Sequence, residues 1–508
     1  MAWVIAIAAP ARAMNPLPSP IVQTADGPVT GTVTATISEF LGIPYAAPPV
    51  GDLRWMPPQL PTPWTSPRDA THYGSECPQG GNSGNEDCLY LNVTTPTAAL
   101  EPGAAPIPVM VWLHGGAFVG GNAEGGDPSN LVTIGNVVVV KINYRLGALG
   151  FLAHPALSAE SPYGSSGNYG ILDQQFALQW VKRNIAAFGG NPRNVTIFGE
   201  SAGGASILTN LVSPLAKGLF KHAIAESGTY ATKLPTLDNS EQNGIAFAAA
   251  VGCSDQTAAC LRSVPVKTLL KNVGVISGLD GEFLTPNVDG YVVPESIDRA
   301  FADGNFNRVP VIDGTNHDEY RSYVASLYDL SSGPLTPAKY DSALTSYFGG
   351  FASSVEAEYP LADYPSPDIA FASVITDLVF SCQAYDIDAS MAKFTRTHVY
   401  EFADENAPTT DPPVSFPYGS SHGFEMQYVF GTPATAFTQA QWKLSYEMLR
   451  EWTSFAWTGV PGEQWLALPA SGDGPVSVLR TSGTRREQLS TFGADHKCAF
   501  WEPLLSAL

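Results

Sequence analysis

Val195-Thr196-Ile197-Phe198-Gly199-Glu200-Ser201-Ala202-Gly203 sits at the middle of the chain. Its first four residues are apolar or β-branched, a short buried-strand pattern. An apolar helical pattern follows, from Ala205 to Leu211. Between the two lies a G-x-S-x-G, in the strand–turn–helix context where a serine is raised on a sharp turn. The requirement is steric: the positions flanking the serine must be nearly free of side chain. The serine oxygen then stands above the sheet, at the positive end of a helix. Ser201 is therefore read as a nucleophile, on a fold in which strands feed helices.

Similar apolar runs recur on either side. Val109 to Leu113 ends at His114-Gly115-Gly116, and Val137 to Val140 leads to Asn143-Tyr144. Val309 to Ile312 leads to Gly314, and Thr397 to Tyr400 leads to Phe402. Continuous rather than alternating apolar strands imply a sheet covered on both faces. Leu172, Phe176, Trp180, Val181 and Ile185 share one helical face, with Asp173 expected in the first turn and Gly189-Gly190 as the stop. Trp442, Tyr446, Leu449, Trp452 and Ala456 form a second stripe, expected to be core and closed by Gly459 and Pro461. The predicted class is α/β, with a large, mostly parallel central sheet and helices on both faces. Eight prolines between Pro44 and Pro67 exclude a central strand or helix interior there. No composition shift divides residues 14–508, which are expected to form a single domain.

The chain has 508 residues and a formal net charge of −21, from 26 Lys+Arg against 47 Asp+Glu. Hydrophobic residues make up 44% and charged residues 14%, the latter against roughly 25% in an average globular protein. That balance argues against disorder. The acidic excess argues against nucleic acid and against anionic lipid as partners, since both need a basic surface. No apolar run reaches the roughly 18 residues of a membrane span. Met1 to Ala9 is apolar and Ala11-Arg12-Ala13 fits a small-x-small cleavage site, so residues 1–13 read as a signal peptide. An even count of six cysteines reads as disulfides in an oxidising compartment, secreted or periplasmic. Spacing alone leaves 15 pairings open. No CxxC occurs, which argues against a zinc site.

A serine hydroxyl needs a base, and on this type of fold the order is serine, acid, histidine. His222, His317, His398, His422 and His496 follow Ser201. His398 lies in a strand pattern, His222 comes too early, His317 adjoins the acid candidates, and His496 is in a terminal segment beside Cys498. His422, in the loop Gly419-Ser420-Ser421-His422-Gly423, is favoured. Asp313, Asp318 and Glu319 follow the 309–312 strand, and the residues alone leave Asp318 and Glu319 as alternatives for the acid that orients the imidazole. His114-Gly115-Gly116-Ala117 ends an early strand with small residues whose N–H groups suit an oxyanion hole, completed by the N–H of Ala202.

The motifs together resemble the type-B carboxylesterase/lipase family, the cholinesterase-like branch of the α/β-hydrolases. The run from Phe188 to Gly203 resembles that family's serine signature, and Glu86-Asp87-Cys88-Leu89-Tyr90-Leu91-Asn92-Val93 its second signature. Phe40 to Tyr45, Asn143 to Gly147, Asn168-Tyr169-Gly170 with Asp173-Gln174, and Cys498 to Trp501 extend the likeness over nearly the whole chain. The resemblance implies Ser201 as nucleophile, Glu319 as acid and His422 as base, with Gly116, Ala117 and Ala202 as the oxyanion hole. It implies supporting places for Glu200 and Ser227. It also implies the pairs Cys77–Cys88, Cys253–Cys260 and Cys382–Cys498. One departure is Tyr320, where a glycine commonly follows the acid.

The expected activity is serine carboxylic-ester hydrolysis through an acyl-enzyme, with a small-molecule ester as substrate and no metal or organic cofactor. A lipase or an amide/carbamate hydrolase of the same fold is the alternative. A non-catalytic binding module is more remote, because a complete triad is present. Only ten residues, Pro78 to Asp87, separate Cys77 from Cys88, and none is Trp, Tyr or Phe. That loop lacks an aromatic face for a cation and the apolar area of a lipid-sensing flap, so short-chain or soluble esters are expected. Activity should fall as pH drops through an ordinary histidine pKa, near 6 to 7. Sequons at Asn92 and Asn194 lie inside strand motifs, where glycosylation is not expected.

Overall fold

The computed structural model describes residues 19–275 and 284–505. The signal-peptide reading of residues 1–13 lies outside them. Eleven strands among the described residues build one sheet. In chain order they are β1 (Thr32–Val33), β2 (Ile37–Pro44), β3 (Tyr90–Pro96), β4 (Ile107–Leu113), β5 (Val138–Ile142), β6 (Gly190–Glu200), β7 (His222–Glu226), β8 (Val311–Asn316), β9 (Thr397–Phe402), β10 (Pro475–Leu479) and β11 (Arg485–Gln488). Their spatial order is β11-β10-β9-β8-β7-β6-β4-β5-β3-β2-β1. From β10 to β5 every pairing is parallel, and the pairings outside that block are antiparallel. This is the α/β-hydrolase architecture. The apolar runs found five strands of the parallel block. The others, such as β7, are short or mix polar residues into the run, so periodicity does not mark them.

The two faces separate residue by residue along β4. Val109, Val111 and Leu113 pack into one core cluster, and Met110 and Trp112 into another. The first face is covered by α1 (Tyr169–Asn184) and α2 (Ala202–Val212), through Ile171, Trp180, Ile207 and Leu211. α3 (Cys382–Met391) packs in the same cluster. The second face is covered by α4 (Gln439–Thr458) through Leu444, Met448, Trp452 and Phe455. The last described element is α5 (Cys498–Leu505).

Two readings need correction. In α4 the buried stripe centres on Met448, whereas Trp442 and Tyr446 are 47% and 50% exposed. At about 100° per residue, Tyr446 lies almost opposite Met448. Leu449, Trp452 and Ala456 are core, as expected. In α1, Asp173 is the fifth residue rather than part of the first turn. It is fully buried in a two-pronged ion pair with Arg145, Nε–Oδ2 and Nη2–Oδ1 both at 2.7 Å. Its partner is a guanidinium, not the helix dipole.

The proline-rich stretch forms no strand between residues 45 and 67 and no α-helix. Trp55 anchors it, buried and donating to Ala148 O at 2.7 Å. Disulfides join Cys77 to Cys88, Cys253 to Cys260, and Cys382 to Cys498. The last bridge ties α3 to α5. Asn92 and Asn194 are buried and hydrogen-bonded, which closes both sequons to modification. No helix among the described residues is long and apolar enough to cross a membrane.

Candidate active site

β6 ends at Glu200 and α2 begins at Ala202, so Ser201 alone makes the turn. Its φ of 56° and ψ of −121° are a strained conformation for a residue with a side chain, costing on the order of 1–3 kcal/mol. The turn is held by Ser201 N donating to Glu226 O and Ala205 N donating to Ser201 O, both at 2.8 Å. Both flanking glycines are obligatory for space. A Cβ at Gly199 would stand 2.6 Å from Leu113 O, and one at Gly203 only 2.0 Å from it.

β8 lies two strands away, and the loop after it carries the acids. Glu319 is fully buried. Its Oε2 accepts from His422 Nδ1 at 2.6 Å, and its Oε1 accepts from Asn316 N at 2.8 Å. His422 N also donates to Glu319 O at 3.2 Å. The far ring nitrogen, Nε2, lies 3.2 Å from Glu200 Oε1. His422 therefore sits between two carboxylates. Burial disfavours its charge, but Glu200 and Glu319 outweigh that and push its pKa up to about 9. Burial, with Glu319 adding to it, pushes Glu200 up to about 7 against the pull of His422.

Asp318, next to Glu319, faces the other way. Its Oδ2 accepts from Ser420 N at 3.0 Å and Ser420 Oγ at 3.1 Å, and its Oδ1 pairs with Arg321 Nη2 at 2.8 Å. These groups and His317 overcome burial and hold its pKa near 2. Asp318 thus straps the loop of His422 to the loop of Glu319. Asn316 reinforces the join, its Nδ2 donating to Ser421 O at 2.9 Å and to Glu425 Oε2. Neither Asn316 nor the strap carries a sequence signal, because each acts through contacts between loops about 100 residues apart in sequence. Asp313, the third acid considered, is buried on β8, and burial raises its pKa to about 7.

The remaining histidines after Ser201 sit in other settings. His222 and His398 are buried on β7 and β9. His496 bridges Asp377 and Glu401 at 2.6 and 2.9 Å. Ser227 has a φ of 51° at the end of β7, and its N donates to Gly314 O at 2.8 Å. Its Oγ has no hydrogen-bond partner among the described residues. Tyr320 fills the position after the acid, buried, with its N donating to Thr376 Oγ1 at 3.0 Å.

The loop after β4 runs beside the serine. Gly116, Ala117 and Phe118 have φ of 106°, 52° and 58° in succession, a run that side-chain-bearing residues rarely adopt. Val119 N and Gly120 N both donate to Gly116 O, at 3.0 and 2.9 Å. A Cβ at Gly115 would lie 3.1 Å from Ser201 Cβ, so this loop abuts the Ser201 turn. The Cys77–Cys88 loop lies against it. Asn122 Nδ2 donates to Glu76 Oε2 at 2.8 Å, and Gln79 makes two bonds to Gly121. By contrast a cleft of about 830 Å³, lined by Val212, Lys217, Phe306 and Arg308, opens where β8 starts, away from the strand ends that carry Ser201 and Glu319.

Comparison with known proteins gives one consistent result. The profile of the carboxylesterase family matches residues 18–501. A fumonisin B1 esterase from Sphingopyxis macrogoltabida is 37% identical, over 91% of this chain and 87% of its own length. A para-nitrobenzyl esterase from Bacillus subtilis (strain 168) is 35% identical, over 89% of this chain and 92% of its own. A solved PNB esterase structure superposes with a TM-score of 0.79 at 33% identity, covering 94% of this chain and 99% of that one.

Proposed function

Because this chain belongs to the carboxylesterase family, we propose that it cleaves carboxylic esters through an acyl-enzyme on Ser201. His422 Nε2 takes the Ser201 proton as Oγ attacks the ester carbonyl. Glu319 holds the ring by Nδ1 and stabilises the imidazolium. The N–H groups of Gly116, Ala117 and Ala202 receive the oxyanion. His422 then protonates the departing alcohol, and a water activated by the same ring releases the acid. The observation that carries the reading is the 2.6 Å bond from His422 to a fully buried Glu319, beside a serine held at φ 56°.

A fluorophosphonate should label Ser201 and no other serine. Ser201→Ala and His422→Ala should each cost several orders of magnitude in turnover, with little further loss in the double variant. Labelling that survives Ser201→Ala would refute the assignment.

Short-chain or soluble esters are the favoured substrates. The loop from Cys77 to Cys88 lacks Trp, Tyr and Phe and is pinned at Gln79, so it makes a poor lid. The names of the relatives concern two different esters, and only the ester class is carried over to this chain. A rate-versus-concentration series with a sparingly soluble ester should show no jump at the solubility limit; a sharp jump there would favour a lipase. An oxidising compartment, secreted or periplasmic, fits six cysteines that are all paired.

A further inference from the structure

One side chain joins the Cys77–Cys88 loop to the loop beside the nucleophile. Gly121 N donates to Gln79 Oε1 at 2.9 Å, and Gln79 Nε2 donates to Gly121 O at 3.0 Å. The carboxamide thus satisfies both backbone groups of a single residue, fixing its orientation as well as its place. The same Nε2 reaches Cys77 O at 3.2 Å, next to the disulfide. Gly121 is a demanding position. Its φ is 102°, and a Cβ there would stand 2.4 Å from both Gly115 O and His114 Nδ1. It is where the chain folds back over His114 and Gly115.

The stretch that Gly121 closes holds the strained residues Ala117 and Phe118. Tyr144 Oη donates to His114 O at 2.6 Å and Gly147 N to Phe118 O at 2.7 Å, both from the core side. Just beyond Gly121, Asn122 is tied to Glu76 and Ala123 N to Asn143 Oδ1, both at 2.8 Å. Gln79 is the tie on Gly121 itself, from within the disulfide loop. Without it, the turn at Gly121 loses both backbone partners while its neighbour stays held, and N–H groups aimed at a developing charge lose value steeply when misplaced by about 1 Å.

We infer that Gln79 is a positioning residue for the oxyanion hole, and that the Cys77–Cys88 disulfide serves catalysis by holding Gln79 in place. The inference rests on the reading that Gly116, Ala117 and Ala202 bind the oxyanion. It concerns the transition state, so its mark is a loss in kcat rather than in KM.

The test uses the full chain, a soluble p-nitrophenyl ester, and a trifluoromethyl ketone that forms a charged tetrahedral adduct on serine. Gln79→Ala should lower kcat by roughly 10- to 100-fold with KM within about threefold, and weaken the ketone by a similar factor. Gln79→Glu keeps an acceptor for Gly121 N but loses the donor to Gly121 O, and should fall between parent and Gln79→Ala; it decides the matter if Gln79→Ala does not fold. Cys77→Ser/Cys88→Ser should reproduce the loss, and adding Gln79→Ala to it should change kcat less than about twofold. Normal kcat in both Gln79 variants, a loss in KM alone, or unchanged ketone affinity overturns the role of Gln79. Failure of the parent to be labelled at Ser201 overturns the underlying reading as well, so the two failures are distinct.

Discussion

At the scale of single residues, Asp318 and Glu319 show how neighbouring carboxylates take opposite work. One is buried against an imidazole, and the other is held near pKa 2 by a guanidinium, a histidine and Ser420. Chemistry and spacing could not separate them, because both side chains are long enough and both follow β8. The G-x-S-x-G was legible because its residues are contiguous and follow an apolar strand run, although the carbonyl that crowds Gly199 and Gly203, Leu113 O, comes from β4. His422 was legible by order and by its loop. Its setting was not, because Glu200 and Glu319 approach it from different strands. An ordinary histidine would place the acid limb of activity near pH 6.5. Here His422 is raised to about 9, and a base must be neutral to work, so the acid limb of kcat/KM should lie above pH 7. Glu200→Gln removes one facing carboxylate and should move that limb down toward 6.5. A limb at or below 6.5 in the parent enzyme would contradict this electrostatic picture.

Elements were legible where burial is two-sided. β4, β5, β6, β8 and β9 announce themselves by unbroken apolar runs, and α1 and α2 by periodicity. β1, β2, β3, β10 and β11 lie toward the sheet margins, where polar residues enter and the signal weakens. α4 was found, but its face was misjudged, because Trp and Tyr count as core in a pattern although Trp442 and Tyr446 are half exposed. The Arg145–Asp173 pair shows what a helix register alone conceals. It links the segment after β5 to α1, and removing one partner strands a buried charge. Asp173→Ala should therefore destabilise the protein by about 3–5 kcal/mol, the range for breaking a buried pair. Denaturant unfolding measures this; a loss under 1 kcal/mol would mean that Arg145 finds water or another partner.

Across the whole molecule, buried acids and two raised histidines pull stability one way as pH rises. Burial lowers His114, His222 and His398 to about 4, and these pull the other way below pH 6.5. Burial raises Glu226 to about 8 and Asp313 to about 7, and it also raises Asp388 and Glu425. A carboxyl whose folded pKa exceeds its unfolded value near 4 keeps its proton in the native state and releases it on unfolding. Its contribution is lost as pH rises through the folded pKa. His422 and His496 are raised to about 9 and about 10, so their contribution is complete below 6.5 and fades toward those values. Asp318 opposes the trend only below about pH 4, and the three lowered histidines only below about 6.5. The thermal midpoint should therefore decline from about pH 6.5 toward pH 9, across the interval where turnover rises. A midpoint that holds level or climbs from about pH 6.5 to 9 would rule out this coupling.

The tie between α3 and α5 also bears on the order in which a ribosome delivers the chain. Cys382 waits for Cys498, 116 residues later, and Asp377 and Glu401 wait for His496. At roughly 5–20 residues per second, that delay is on the order of ten seconds. During it β9, which flanks the strand leading to Glu319, carries a buried Glu401 without its histidine. The thiol of Cys382 stands unpaired while Cys77, Cys88, Cys253 and Cys260 have already emerged. A nascent chain therefore holds Ser201, Glu319 and His422 well before the segment that carries His496 and Cys498, and until that segment arrives Cys382 is open to a wrong bridge.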